Sequence, residues 1–108
     1  IPTITIMNSR TSNLYLGNPN PNATNQNLTV AGSAVSITAP NIDTDYVVID
    51  VQDNDIYVTF DGTTPSATNG HILPKAQGLL VISKNAAKAA KFIQVSGSAV
   101  VHATQFVD

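Results

Sequence analysis

An antiparallel β-sandwich or jelly roll with at most one short helix is the fold that this sequence predicts, and three observations predict it. Apolar residues recur with period two in short runs, as in Ile56, Val58 and Phe60 alternating with Tyr57, Thr59 and Asp61. Turn-forming clusters of Asn, Asp, Gly, Ser and Pro separate those runs at short spacing. All seven acidic residues are Asp and none is Glu, which suits strand ends and turns rather than helices. An immunoglobulin-like sandwich is the nearest competitor, but its Cys and Trp hallmarks are both missing.

Thr3, Ile4, Thr5, Ile6 and Met7 alternate Thr with apolar residues and read as an edge strand, with Pro2 where a missing backbone donor does no harm. Leu14 to Leu16 is a second short strand. Gly17 to Asn27 has no apolar periodicity and carries two prolines, so it reads as an extended loop or arm. Leu28 to Val30 and Ala34 to Ile37 are short strands around a turn at Ala31-Gly32-Ser33. Tyr46 to Val51 is nearly continuous in Val and Ile, which predicts burial on both faces or a place at the centre of a sheet. Gln52-Asp53-Asn54-Asp55 turns the chain back into Ile56 to Phe60, so residues 46–60 are expected to form an antiparallel hairpin with Val47, Ile49 and Val51 on one face. Ile72-Leu73 and Leu79 to Ile82 are further strands. Ser83 to Lys91 is the one helical candidate, of one or two turns, with Asn85 as its cap. Phe92 to Val95 and Ala99 to Gln105 are strands around Ser96-Gly97-Ser98.

The 108 residues suit one domain, 43% hydrophobic but only 11% charged, against about 25% charged in an average soluble domain. A surface so poor in charge lacks the repulsion that keeps free proteins apart, and it is expected to be covered in part by other subunits. Without Cys there are no disulfides, thiolate metal sites or cysteine nucleophiles. A net charge of −2 with five scattered cations gives no phosphate-tracking stripe, so neither nucleic acid nor an anionic membrane surface is an expected partner. No apolar run is long enough to span a bilayer, and no charged segment followed by an apolar core marks a secretion signal.

Catalytic and metal motifs are sparse. His71 follows Asn69-Gly70 and reads as a ring that pins a turn to the backbone; His102 alternates with Val101 and Ala103 and faces solvent or a subunit. Asp43-Thr44-Asp45 and Asp53-Asn54-Asp55 have oxygen ligands that calcium uses, but lack the Gly turn and distal Glu of an EF-hand, and solvated turns are the plainer reading. No facing carboxylate pair, nucleophile elbow or phosphate-cradling Gly loop is readable, so neither an enzyme nor a cofactor is expected. Asn22-Ala23-Thr24 and Asn27-Leu28-Thr29 match the glycosylation sequon, which a chain so rich in Asn, Ser and Thr supplies by chance. Six of the seven Asp lie between positions 43 and 61, whereas Lys75, Lys84, Lys88 and Lys91 follow later. If these segments sit on opposite flanks, identical subunits pair acid with base around a ring that closes as a trimer; otherwise they are two solvated patches.

The segment Tyr57-Val58-Thr59-Phe60-Asp61-Gly62-Thr63-Thr64-Pro65-Ser66-Ala67-Thr68-Asn69-Gly70-His71-Ile72-Leu73 resembles one that recurs in small structural proteins of tailed bacteriophages, a strand followed by Asp-Gly-Thr-x-Pro and then Gly-His-x-Leu. Ala90 to Ala99 also resembles the strand, Ser-Gly and small residue that follow there; the amino-terminal half departs from the pattern. The resemblance implies a capsid cement or decoration protein on the outer surface of the virion, a homo-oligomer whose partner is the major capsid protein. Thr3, Ile4, Thr5, Ile6 and Met7, as an edge that can add to a neighbour's sheet, and Asn18, Asn20 and Asn22, on the arm, are the candidate capsid contacts. A neck or head-fibre component is a variant of the same reading. Tyr57 to Pro65 also resembles a hairpin of accessory sandwich domains in carbohydrate-active enzymes, which implies a sugar-binding module with Tyr15 and Tyr57 as platforms.

Overall fold

A computed structural model describes residues 16–108. Among them are eight strands: β1 (Asn18–Pro19), β2 (Gln26–Val30), β3 (Tyr46–Gln52), β4 (Ile56–Thr59), β5 (His71–Leu73), β6 (Leu80–Ser83), β7 (Lys91–Gln94) and β8 (Ala99–Val107), with one helix, α1 (Lys84–Ala89). All pairings are antiparallel and form two sheets. In the larger sheet β8 lies between β3 and a flank shared end to end by β1 and β2, and β6 forms the far edge beyond β3. The smaller sheet has the order β5-β4-β7. The two sheets bury their apolar faces against each other as a β-sandwich, the class that the alternating runs predict.

The core follows from strand parity. Val47, Ile49 and Val51 of β3 and Ala99, Val101 and Ala103 of β8 line the inner face of the larger sheet; Ile56, Val58 and Phe92 line that of the smaller one. Phe92, Ile49, Ile56, Val30, Val47, Val58 and Val101 are fully buried. A second cluster lies on the other face of the larger sheet. There Tyr46 and Phe106, paired across β3 and β8, stack with ring centroids 5.3 Å apart, beside Val48 and Val81. Tyr46, Val47, Val48 and Ile49 are all buried, so β3 is covered on both faces at the centre of its sheet.

The expected 46–60 hairpin does not form. β3 and β4 belong to different sheets, and Gln52 to Asp55 carries the chain from one to the other, through a left-handed backbone at Asp53 (φ 78°). The two strands meet through their apolar faces instead of their edges, an arrangement that buries both. Side chains fasten this crossing to adjacent turns: the Asn54 amide donates to Ser98 O at 2.8 Å, and Asp55 accepts from the Lys75 backbone N–H at 3.0 Å.

Three further expectations change. Ala34 to Ile37 contributes only a bridge between Val35 and Phe92, with Val35 N donating at 2.9 Å and Phe92 N returning the bond at 2.8 Å, so it meets the edge of β7 at one residue and is not a strand. Ser83, not Asn85, caps α1, its hydroxyl accepting from Ala86 N at 3.1 Å, which lets the helix begin directly at the end of β6 and drop Ala87 into the core. Gly17 to Asn27, expected as an extended loop or arm, runs from one short strand, β1, into another, β2. Its ends pair with β8, and residues between them are tied to the 41–45 segment by side-chain amides. Leu16 lies outside any strand; Leu14, Tyr15 and the predicted strand Thr3 to Met7 lie outside the described residues.

Candidate functional site

The phage-like segment folds as one unit: β4, a loop over residues 60–70, and β5 paired back on β4 with Ile56 opposite Leu73, Tyr57 opposite Ile72 and Val58 opposite His71. The loop's polar side chains bond to the loop. Asp61 accepts from the Thr63 hydroxyl at 2.6 Å and from its backbone N–H at 3.1 Å, Thr59 donates to Thr63 O, and the Asn69 amide donates to the Thr63 hydroxyl and to Thr64 O at 3.0 and 2.9 Å. The Thr63 donors hold the Asp61 carboxyl below its ordinary range. Pro65 is fully buried, which seats the loop on the body of the protein. Gly70 has φ 105°, and a Cβ there would sit 2.3 Å from Val58 O, so the return into β5 requires glycine.

On the outer face of the smaller sheet, the row across β5, β4 and β7 is Ile72, Tyr57, Ile93. Ile72 is 56% exposed, and Val95, two residues beyond Ile93, is exposed as well. Isolated surface apolar residues are ordinary; here the exposed Ile72 stands in one row across the sheet with the half-buried Tyr57 and Ile93. The sequence contained a signal for it in Phe92-Ile93, apolar on successive positions where alternation demands one polar residue. Tyr57 is half-buried between two branched side chains; Tyr15, the other proposed sugar platform, lies outside the described residues.

The other sequence-derived candidates scatter. Asn18 and Asn22 are exposed, but Asn20 is 3% exposed, with its amide spent inside the chain: Nδ2 donates to Asp43 Oδ1 and Thr44 Oγ1, both at 2.9 Å, and Oδ1 accepts from Asn22 N at 2.8 Å. These bonds tie the 17–27 segment to the 43–44 turn. Donation from Asn20 and then Asn22 lowers the Asp43 pKa. Thr3, Ile4, Thr5, Ile6 and Met7 lie outside the described residues. His71 is exposed, its ring 6.5 Å from that of Phe60, and the turn is pinned by Asn69 instead. His102 Nδ1 meets Asn27 Oδ1 at 2.6 Å across β8 and β2, with Asp50 opposite it on β3. Lys84 donates to Ile42 O and its charge helps to lower the Asp43 pKa, so acidic and basic segments meet here within one chain.

Among the described residues no group of three or more His, Cys, Asp or Glu side chains is placed to hold a metal ion, and no helix is long and apolar enough to cross a membrane. Among the described residues, one shallow cavity is bounded by Thr59, Phe60, Asp61 and residues 69–71 and another by residues 22–26, Thr38, Ala39, Asn41 and Gln105. Comparison with known proteins finds no matching family model, no similar curated protein and no similar solved structure.

Proposed function

We propose that this chain is a non-enzymatic virion structural protein, a cement or decoration protein that binds the major capsid protein on the outer surface of a phage head. The observation that carries this reading is the apolar row Ile72, Tyr57 and Ile93, presented by the same β4–β5 unit whose sequence resembles phage structural proteins. The loop between those strands spends its polar groups on its own shape, so the unit serves as a stiff support for a contact face. The mechanism is mechanical. Many modest contacts, repeated over the shell, sum to an affinity that no single site supplies and resist expansion of the head.

Mass spectrometry of purified particles tests this reading, with copy number measured against the major capsid protein. A stoichiometry comparable to that of the shell subunits is expected; a handful of copies assigns the protein to a neck or fibre, and absence from particles overturns the proposal. Ile72→Lys and Ile93→Lys place charge on the outer face while leaving the buried face intact, and each is expected to fold as the parent does and to lose particle binding.

A further inference from the structure

Internal hydrogen bonds orient four of the five amides around one cavity as donors or acceptors. The cavity, of about 320 Å³, lies between residues 22–26 and 38–41, with Gln105 of β8 on its wall. Gln26 Oε1 accepts from the Thr38 backbone N–H at 2.7 Å, and Gln105 Oε1 accepts from the Asn41 backbone N–H at 2.8 Å. A backbone N–H only donates, so each of these amides has its oxygen toward the protein and its NH₂ group left over. Asn25 faces the Thr104 hydroxyl at 2.8 Å, a partner that both donates and accepts and so does not fix the orientation of its amide. The remaining two amides are reversed. Asn22 spends its NH₂ on Asp43 Oδ2 at 2.9 Å and Asn41 spends its NH₂ on Asn22 O at 3.1 Å, which leaves their side-chain oxygens as acceptors.

The lining has therefore two NH₂ donors, on Gln26 and Gln105, and two carbonyl acceptors, on Asn22 and Asn41, with no bond to another described residue, and it contains no ionisable side chain. Charge decides between ligand classes. An anion would approach the ionised Asp43 with no cation in the lining to offset the repulsion, and a cation would face two NH₂ groups. A hydroxyl both donates and accepts, and matches the mixed set. We propose that this cavity binds a neutral, hydroxyl-rich ligand of about one sugar ring, a volume near the lower end of the roughly 300–1,000 Å³ of small-molecule sites. No aromatic ring lines it, so affinity comes from hydrogen bonds alone and lies in the millimolar range. The site lies on a different part of the molecule from the apolar row and stands or falls independently of particle binding.

The test is a ¹⁵N–¹H titration of the 108-residue chain with methyl α-glucopyranoside, methyl β-galactopyranoside, methyl α-mannopyranoside and N-acetylglucosamine, with sodium acetate and ammonium chloride as charged controls. The side-chain NH₂ resonances of Gln26 and Gln105 are expected to shift and saturate with at least one sugar and with neither control. Gln26→Glu and Gln105→Glu keep the oxygen that accepts from the backbone and remove the NH₂ group, so each is expected to keep a native spectrum and bind about tenfold more weakly, the loss of one hydrogen bond. Absence of a saturable shift with every sugar, a response to acetate instead, or unchanged affinity in natively folded Glu variants overturns the proposal. The wild-type NH₂ resonances decide the matter even where a variant fails to fold.

Discussion

Replacing Asn20 by alanine tests how firmly side-chain amides tie the 17–27 segment to the rest of the protein. The substitution removes three hydrogen bonds, to Asp43, to Thr44 and from the Asn22 N–H. They are not equivalent. Asp43 is exposed and recovers its bond from water at almost no cost, whereas Thr44 is buried and the Asn22 N–H bond is partly buried. Thr44 keeps its own donation to Gln105, which limits the damage on that side. Two bonds at about 1 kcal/mol each, with a further fraction for a buried acceptor left short, give a loss of about 2–3 kcal/mol. For a domain of this size that lowers Tm by roughly 10–15 °C. Urea unfolding followed by circular dichroism is the assay, and the midpoint should fall with an unchanged slope, since the buried surface is the same. Asn20→Asp sharpens the test. It sets a second carboxylate against Asp43 and removes both donors, so it should cost more than alanine at neutral pH, and the gap should narrow as acid lets one carboxyl share a proton with the other. A loss below about 0.5 kcal/mol for Asn20→Ala, the level of an ordinary surface substitution, refutes the reasoning.

Gly70→Ala should destabilise by more than about 2 kcal/mol, because strain at positive φ adds to a Cβ placed 2.3 Å from Val58 O, whereas Gly62→Ala, at φ 84° with nothing within 4 Å, should cost about 1 kcal/mol; thermal melts of the pair measure the difference. Phe92→Ala empties a fully buried site between the sheets and should cost about 3–5 kcal/mol in chemical denaturation. The Asp61 carboxyl is held below the ordinary value of 3.8 by Thr63, so its contribution to the loop is complete above that value and disappears as pH falls through the lowered one; the Thr63 amide resonance should titrate with a midpoint below 3.8, and Thr63→Ala should move the Asp61 midpoint upward.

Strand identity was legible because period two is a local property. Tyr46 to Val51, Ile56 to Phe60, Phe92 to Val95 and Ala99 to Gln105 each announce a buried face within their own residues, and each is a strand within a residue or two of the expected bounds. Partner choice was not legible. A four-residue Asp- and Asn-rich turn serves equally for a hairpin, in which neighbours share a sheet, and for a crossing between sheets, in which apolar faces oppose each other. What selects the crossing is long-range: β8 occupies the edge of β3 that β4 would need, β6 occupies the other, and β4 finds β5 and β7. The nine-residue β8, at the other end of the chain, therefore decides a pairing that its neighbours in sequence suggest otherwise.

The same physics explains why candidate sites were harder to read than the core. A core residue is recognised by its own hydrophobicity, but a contact row or a cavity is a property of residues brought together from separate strands and loops. Ile72, Tyr57 and Ile93 become a row only through the register of β4 with both neighbours, and Asn22, Gln26, Asn41 and Gln105 become a cavity wall only because β2 and β8 pair and the 38–41 segment returns beside them. Composition gave one usable hint. Where charge is scarce and amides are plentiful, a surface offers apolar area and neutral hydrogen bonds, and the molecule separates the two: an apolar row outside the smaller sheet and an uncharged amide cavity beside the larger. Charge introduced at Ile72 should therefore weaken association with a protein surface and leave the amide resonances of Gln26 and Gln105 unmoved. A substitution at Gln105 that preserves the fold should do the reverse. Coupled loss of both would mean that they are parts of one surface, and would contradict the division of labour argued from their placement.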